Sequence, residues 1–178
     1  MKIGICGAQS VGKTTLINAL RSESSLKDFN ICKEVTRKVK KLGLEINENG
    51  SDITQNIIMK EHIYNLFMYD NLISDRTTLD GIVYTAYLKQ TGKLSETCFK
   101  DCLQIFQKSL TKYDYQFYIR PEFEIEDDGV RSIDKKFRDE IVKLFDDYIT
   151  MYNVDVITLS GSVRERVETI LLAIGDHK

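Results

Sequence analysis

Apolar residues along this chain switch repeatedly between two spacings. Ile3 to Cys6 is a short apolar run closed by Gly7, the pattern of a strand, whereas Leu16, Ile17 and Leu20 after Thr14 fall on one face of a helix. A second run, Phe29 to Cys32, precedes a helix on which Val35, Val39 and Leu42 share a face, with Lys33, Arg37, Lys40 and Lys41 opposite. A polar loop from Asn47 to Ser51 leads into a helix from Ile58 to Tyr69, and Asn71 to Asp75 reads as a buried strand ending on a carboxylate. Helices from Leu79 to Leu88 and from Thr97 to Leu110 follow, then a strand from Tyr115 to Ile119. An amphipathic helix from Ile133 to Ile149, a strand from Val154 to Leu159 and a last helix carrying Val163, Val167, Ile170 and Ile174 complete the chain.

Strand and helix alternate almost throughout, which predicts parallel strands joined by helical crossovers in a three-layer α/β fold. One stretch, Arg120 to Ser132, fits neither period. It holds the only proline, Pro121, and the acids Glu122, Glu124, Glu126, Asp127 and Asp128, and it reads as a lid over a site.

Composition narrows the picture. With 178 residues, 42% apolar and 29% charged, the chain is expected to form one domain over 1–178 with a true core. Its 25 basic and 27 acidic residues give a net charge of -2, so contact with a polyanion has to be local. Four cysteines without CxxC spacing and two histidines make a poor zinc set and read as reduced structural thiols. The longest apolar run, Ile170 to Ile174, is far short of the roughly 20 residues that span a bilayer, and no signal-peptide layout opens the chain. A cytoplasmic location is expected, with no membrane and no obligatory protein partner.

The chemistry begins at Gly7-Ala8-Gln9-Ser10-Val11-Gly12-Lys13-Thr14, which fits G-x-x-x-x-G-K-[ST] between a strand and a helix. Glycines let backbone N–H groups converge on phosphate oxygens, and the helix that follows adds its positive end. On this solvent-facing loop Lys13 is expected to bridge the β and γ phosphates and the Thr14 hydroxyl to ligate Mg²⁺, with Thr15 completing a nucleotide-binding run over 7–15. Asp75 and Arg76, at a strand end facing the ligand crevice, offer a carboxylate that either aids the metal or takes an acceptor proton, and a guanidinium for a phosphate. Asp80 is either a ligand contact or the partner of Thr77 in a capping box. Arg131 and Arg120 in the lid, with Arg138 beyond it, are candidates to stabilise a transferred phosphoryl group, Arg131 first among them. Glu34 and Arg37 lie where an acceptor is held, although a solvated helix face explains the lysines around them. Tyr84 and Tyr87, with Phe67 and Tyr69, either stack on an acceptor ring or pack in the core. His62 is given no role.

These motifs resemble those of the NadR-type AAA-domain family of small P-loop kinases, which includes ribosylnicotinamide kinase domains and kinases encoded by phages. Beside the phosphate loop, Glu34-x-x-Arg37 is similar to the family's E-x-x-R, and Asp75-Arg76 with Asp80 and Tyr84 to its D-R-x-x-x-D-x-x-x-Y stretch. Asp128-Gly129-Val130-Arg131 is similar to its lid motif, and Gly161 with Arg166 to a G-x-x-x-x-R near the adenine. Lys33 stands where members often carry proline. The resemblance implies a five-stranded parallel sheet in the order 2-3-1-4-5 and ATP- and Mg²⁺-dependent phosphorylation of a hydroxyl. The acceptor it implies is nicotinamide riboside, another nucleoside or nucleotide, or a hydroxymethylpyrimidine in phage DNA, in which case the host cytoplasm is the location. At this length no separate adenylyltransferase domain is expected. The alternative is a nucleotide-dependent switch or ATPase module acting through a protein partner; the N-K-x-D motif of guanine-specific switches is missing.

Overall fold

A computed structural model describes residues 1–33, 35–122 and 134–175. Its five strands, β1 (Lys2–Cys6), β2 (Asn30–Cys32), β3 (Leu72–Asp75), β4 (Tyr115–Ile119) and β5 (Ile157–Leu159), form one sheet in the order β2-β3-β1-β4-β5. Every pairing is parallel. The helices are α1 (Lys13–Leu20), α2 (Val35–Lys41), α3 (Asp52–Met68), α4 (Thr78–Gln90), α5 (Glu96–Ser109), α6 (Lys135–Met151) and α7 (Val163–Gly175). Because helices cover both faces, the central strands are apolar on both: β1 and β3 are buried along nearly their whole length. Ile3, Ile5, Ile73, Phe117 and Ile119 join Leu16, Leu79, Phe106 and Phe145 in the main core. A separate small cluster, Val35, Val39, Ile46 and Ile58, holds α2 against α3.

The predicted elements are present, with shifts that have local causes. α3 starts at Asp52, where Ser51 caps it by accepting from Thr54 N; the buried polar Thr54 and Gln55 had hidden its apolar period. Leu42, expected on the inner face of α2, is 70% exposed because the helix stops at Lys41. β5 begins at Ile157, since the N–H of Val154 turns back to Ile149 O and closes the end of α6. α3 and α4 meet at Gly81, where a Cβ would lie 2.2 Å from Met59 Sδ, so glycine permits the approach. Cys6, Cys98 and Cys102 are buried and Cys32 half-buried, all as free thiols, and burial pushes Cys98 up to about 12. No helix among the described residues is long and apolar enough to cross a membrane.

Candidate active site

The loop between β1 and α1 is built for an anion. Gly7 has φ +143° and its missing Cβ would sit 2.4 Å from Ile119 O, while Ser10 and Gly12 are left-handed at φ +59° and +88°. Successive turns of this kind aim neighbouring N–H groups into one concavity. Lys13 differs from expectation: it is 4% exposed, and its ammonium folds back to donate to Gly7 O at 2.7 Å and Ala8 O at 2.5 Å. The cation therefore sits within the loop rather than in solvent. Thr15, by contrast, is exposed on α1.

The register of the sheet places the acid. Ile5 of β1 lies opposite Asp75 of β3, so the carboxylate reaches the start of α1, where Thr14 Oγ1 donates to Asp75 Oδ2 at 3.2 Å. Two hard oxygens so close, beside a phosphate cradle, suit Mg²⁺, which completes its shell with waters and phosphate oxygens. Among the described residues no three His, Cys, Asp or Glu side chains gather to hold a metal by themselves.

Arg76 adopts φ +77°, a conformation costly outside glycine and typical of functional sites. It is held by Arg76 N donating to Ile5 O at 3.0 Å and Ser74 Oγ to Arg76 O at 2.7 Å. Asp75 and Arg76 consequently line different clefts. Asp75 lines an open one of about 250 Å³ with Thr14, Asn18, Arg21, Lys33 and Arg37. Arg76 lines a narrow one with Thr36, Gln55, His62, Asp80 and Tyr84, whose free space of about 20 Å³ suffices for one water. α2 stands between them, Thr36 lining the narrow cleft and Arg37 the open one.

Asp80 is a cap and more. Thr77 N donates to Asp80 Oδ2 at 2.9 Å and Leu79 N to Thr77 Oγ1 at 3.1 Å, completing the capping box. Its Oδ1 accepts from Gly7 N at 3.3 Å and Arg76 Nη1 at 3.4 Å, tying the phosphate loop to the narrow cleft. Burial holds the Asp80 carboxyl above its ordinary value, only partly offset by the charges of Arg76 and Lys13 and the N–H groups of Thr77 and Gly7. Tyr84 lies under the Arg76 guanidinium, 5.2 Å from it, and its hydroxyl donates to Gln9 Oε1 at 2.8 Å. Tyr87 packs edge-on against Phe137 at 4.7 Å, whereas Phe67 is 67% exposed.

His62, given no role from sequence, is 2% exposed and lines the narrow cleft with Gln55. The signal was there. Gln55, Ile58, His62 and Asn65 share the inner face of α3, and polar residues in the apolar phase of a helix mark something other than core.

Arg166, at 2% exposure, donates from Nη1 to Val11 O at 3.1 Å, and its Nη2 lies 3.1 Å from Glu122 Oε2. Gly161 N also donates to Glu122, at 3.1 Å, so the root of the expected lid is fastened to both residues of the G-x-x-x-x-R motif. Arg120 stands apart from both clefts: it pairs with Asp146 of α6 at 2.6 Å and lines a shallow depression with Pro121, Asp139 and Val142. Arg138 is buried in α6. Glu34 and Arg131, and the lid beyond Glu122 through Ser132, lie outside the described residues.

No curated protein matches the chain in sequence. Among solved structures it is similar to deoxyadenosine kinase from M. mycoides with dCMP and dCDP bound, at TM-score 0.71 and 16% identity over 100% of both chains. It is similar too to NadR in complex with NR, at TM-score 0.72 and 14% identity, over 96% of this chain and 50% of that one. YorR from Bacillus subtilis, in complex with phosphorylated GDP, matches at TM-score 0.59 and 21% identity over 98% of this chain and 96% of that one. At such identities the shared property is the P-loop kinase fold. The family model described as AAA domain matches residues 2–166, which span every motif above. The chain belongs to this AAA-domain family, the NadR-type group of small P-loop proteins whose motifs it carries.

Proposed function

We propose that the chain is an ATP-dependent phosphotransferase that moves the γ-phosphoryl group to a hydroxyl of a nucleoside- or nucleotide-like acceptor. The observation that carries this reading is the Thr14–Asp75 pair, 3.2 Å apart, facing the Lys13 loop on one side and an open cleft with Arg37 on the other. A bare switch has no need of a second cationic cleft at the acid. The structural relatives named for nucleoside phosphorylation support the acceptor class.

In the proposed reaction the acceptor oxygen bonds to the γ phosphorus as the bond to the β–γ bridging oxygen breaks, and ADP leaves with that electron pair. Lys13 turns from the Gly7 and Ala8 carbonyls to the β and γ oxygens, keeping the leaving charge neutralised. Mg²⁺, held by Thr14 and Asp75 when bound, supplies further neutralisation of the triphosphate. Where Asp75 is not engaged with the metal, it orients the entering hydroxyl and draws its proton. Arg37 lines the acceptor's cleft, Arg76, Asp80 and Tyr84 form the wall behind α2, and Arg120 reaches the site only by leaving Asp146; Glu34 is assigned to the acceptor and Arg131 to the transferring group from their motifs, and Gly161 and Arg166 to the nucleotide base. A hydroxymethylpyrimidine in phage DNA is among the acceptors, with action in the host cytoplasm.

The test is incubation with γ-labelled ATP and a panel of nucleosides, nucleotides and hydroxymethylpyrimidine DNA. Label is expected on one acceptor. Label found only as inorganic phosphate, with every acceptor present, overturns the kinase reading in favour of an ATPase or switch.

A further inference from the structure

Gln9 is the third residue of the phosphate loop, and its side chain is 1% exposed. Its two amide ends are unequal. Oε1 accepts from the Tyr84 hydroxyl at 2.8 Å, whereas Nε2, equally buried, has no hydrogen-bond partner. Two N–H donors left unmet in a buried position are unfavourable, and a ligand, an ion or a water is what completes such a group. Ser10 Oγ, next along the loop, is also buried without a partner.

The amide is held in this sense. Tyr84, which anchors Oε1, is clamped between the Arg76 guanidinium at 5.2 Å and the edge of Phe137 at 5.9 Å. The loop is also polarised. Its far end, Val11 and Gly12, touches Arg166 of α7, the side assigned to the nucleotide base, while Gly7 and Gln9 touch Asp80 and Tyr84 of α4, on the side away from the base. A triphosphate lying in the loop has its terminal phosphoryl at the Gln9 end.

We infer that Gln9 Nε2 donates a hydrogen bond to the γ-phosphoryl group, and that Tyr84 is the positioning residue that fixes this amide. The inference rests on triphosphate binding in the loop and not on the identity of any acceptor. The backbone N–H groups grip phosphate irrespective of what lies beyond it, and Lys13 spans the β and γ oxygens. Gln9 adds a side-chain contact made to the γ-phosphoryl alone.

The experiment is calorimetric titration of the full chain with ATP and with ADP, in the wild type, Gln9→Ala, Gln9→Glu and Tyr84→Phe, each with its thermal midpoint. Gln9→Ala is expected to weaken ATP relative to ADP by about tenfold. Gln9→Glu, which sets a carboxylate against the phosphoryl, is expected to weaken it by more, and Tyr84→Phe by about threefold, each read as the ratio of ATP to ADP affinity. A purely structural role moves ATP and ADP together. If Gln9→Ala, with its ADP affinity intact, keeps the wild-type ratio of ATP to ADP affinity, the inference is overturned; if Gln9→Glu is unfolded, Gln9→Ala and Tyr84→Phe decide. Failure to label any acceptor defeats the kinase reading but leaves this ratio to stand, and failure to bind ATP in the wild type defeats both.

Discussion

The phosphate loop and the narrow cleft beside it lie next to each other and are made in opposite ways. The loop is one run of residues, Gly7 to Thr14, shaped by backbone conformation, with Gln9 and Thr14 tying it to Tyr84 and Asp75. The cleft is made of side chains from three helices and a turn, with Thr36, Gln55, Arg76 and Tyr84 drawn from separate elements. In the proposed reading the loop takes the phosphates largely through its backbone, whereas the narrow cleft, with room for one water, is a side-chain wall behind the open cleft where the acceptor enters. Asp80 couples the two, accepting from Gly7 on one side and Arg76 on the other.

The sharpest way to break this division is Arg76→Ala. Asp80 then keeps a buried carboxylate without its guanidinium, a loss of about 3–5 kcal/mol where one member of a buried pair is removed. Urea unfolding is expected to show it, and Arg76→Met with Asp80→Asn is expected to recover part. A fully stable Arg76→Ala protein would mean that the cleft does not depend on that pair.

Lys13→Ala tests the other region. Phosphoryl transfer is expected to fall by about a hundredfold or more at saturating ATP. A variant with wild-type turnover would move the chemistry away from the loop.

Gly81→Ala sharpens the contrast, because its new Cβ meets Met59 and forces α3 from α4. A loss of about 1–2 kcal/mol is expected, together with a changed acceptor KM and an unchanged affinity for ATP. Equal effects on both ligands would show that the two regions are not separable.

The smallest effect is far from either. Asp52 accepts from Ser95 N at 3.0 Å and Ser95 Oγ at 2.5 Å, joining the starts of α3 and α5, and these bonds hold its carboxyl below its ordinary value of 3.8. A depressed acid stabilises the fold above its unfolded pKa and loses that contribution as pH falls through the folded one. The stability gap between wild type and Asp52→Asn is therefore expected to be full at neutral pH and to close below about pH 4. A gap that is constant down to pH 2 would assign the effect to packing.

What was legible in the sequence follows the same division. Strands such as Tyr115–Ile119 came directly from apolar runs, and the phosphate loop from spacing alone, because each is a local property of the chain. The sheet order 2-3-1-4-5 entered with the family resemblance, since periodicity does not say which strands are neighbours. The separation of Asp75 from Arg76 was hidden because it hangs on one positive φ, which residue type does not announce at an arginine. His62 was passed over because a lone imidazole acquires meaning only when α2 and α4 arrive around it. Lys13 was set in solvent because the carbonyls that hold it belong to a loop folded in three dimensions.

The pairing of Ile5 with Asp75 has a consequence for descent. Because ladder bonds between two buried strands fix the acid against the loop, drift in the helices cannot easily alter the distance between the groups proposed to do the chemistry. Residues of the narrow cleft such as Thr36, Gln55 and His62 lie on helices, so a change there leaves the spacing of Asp75 and the loop as the strands set it. The strand pairing outlasts the sequence: at 16% identity the fold still matches at a TM-score of 0.71.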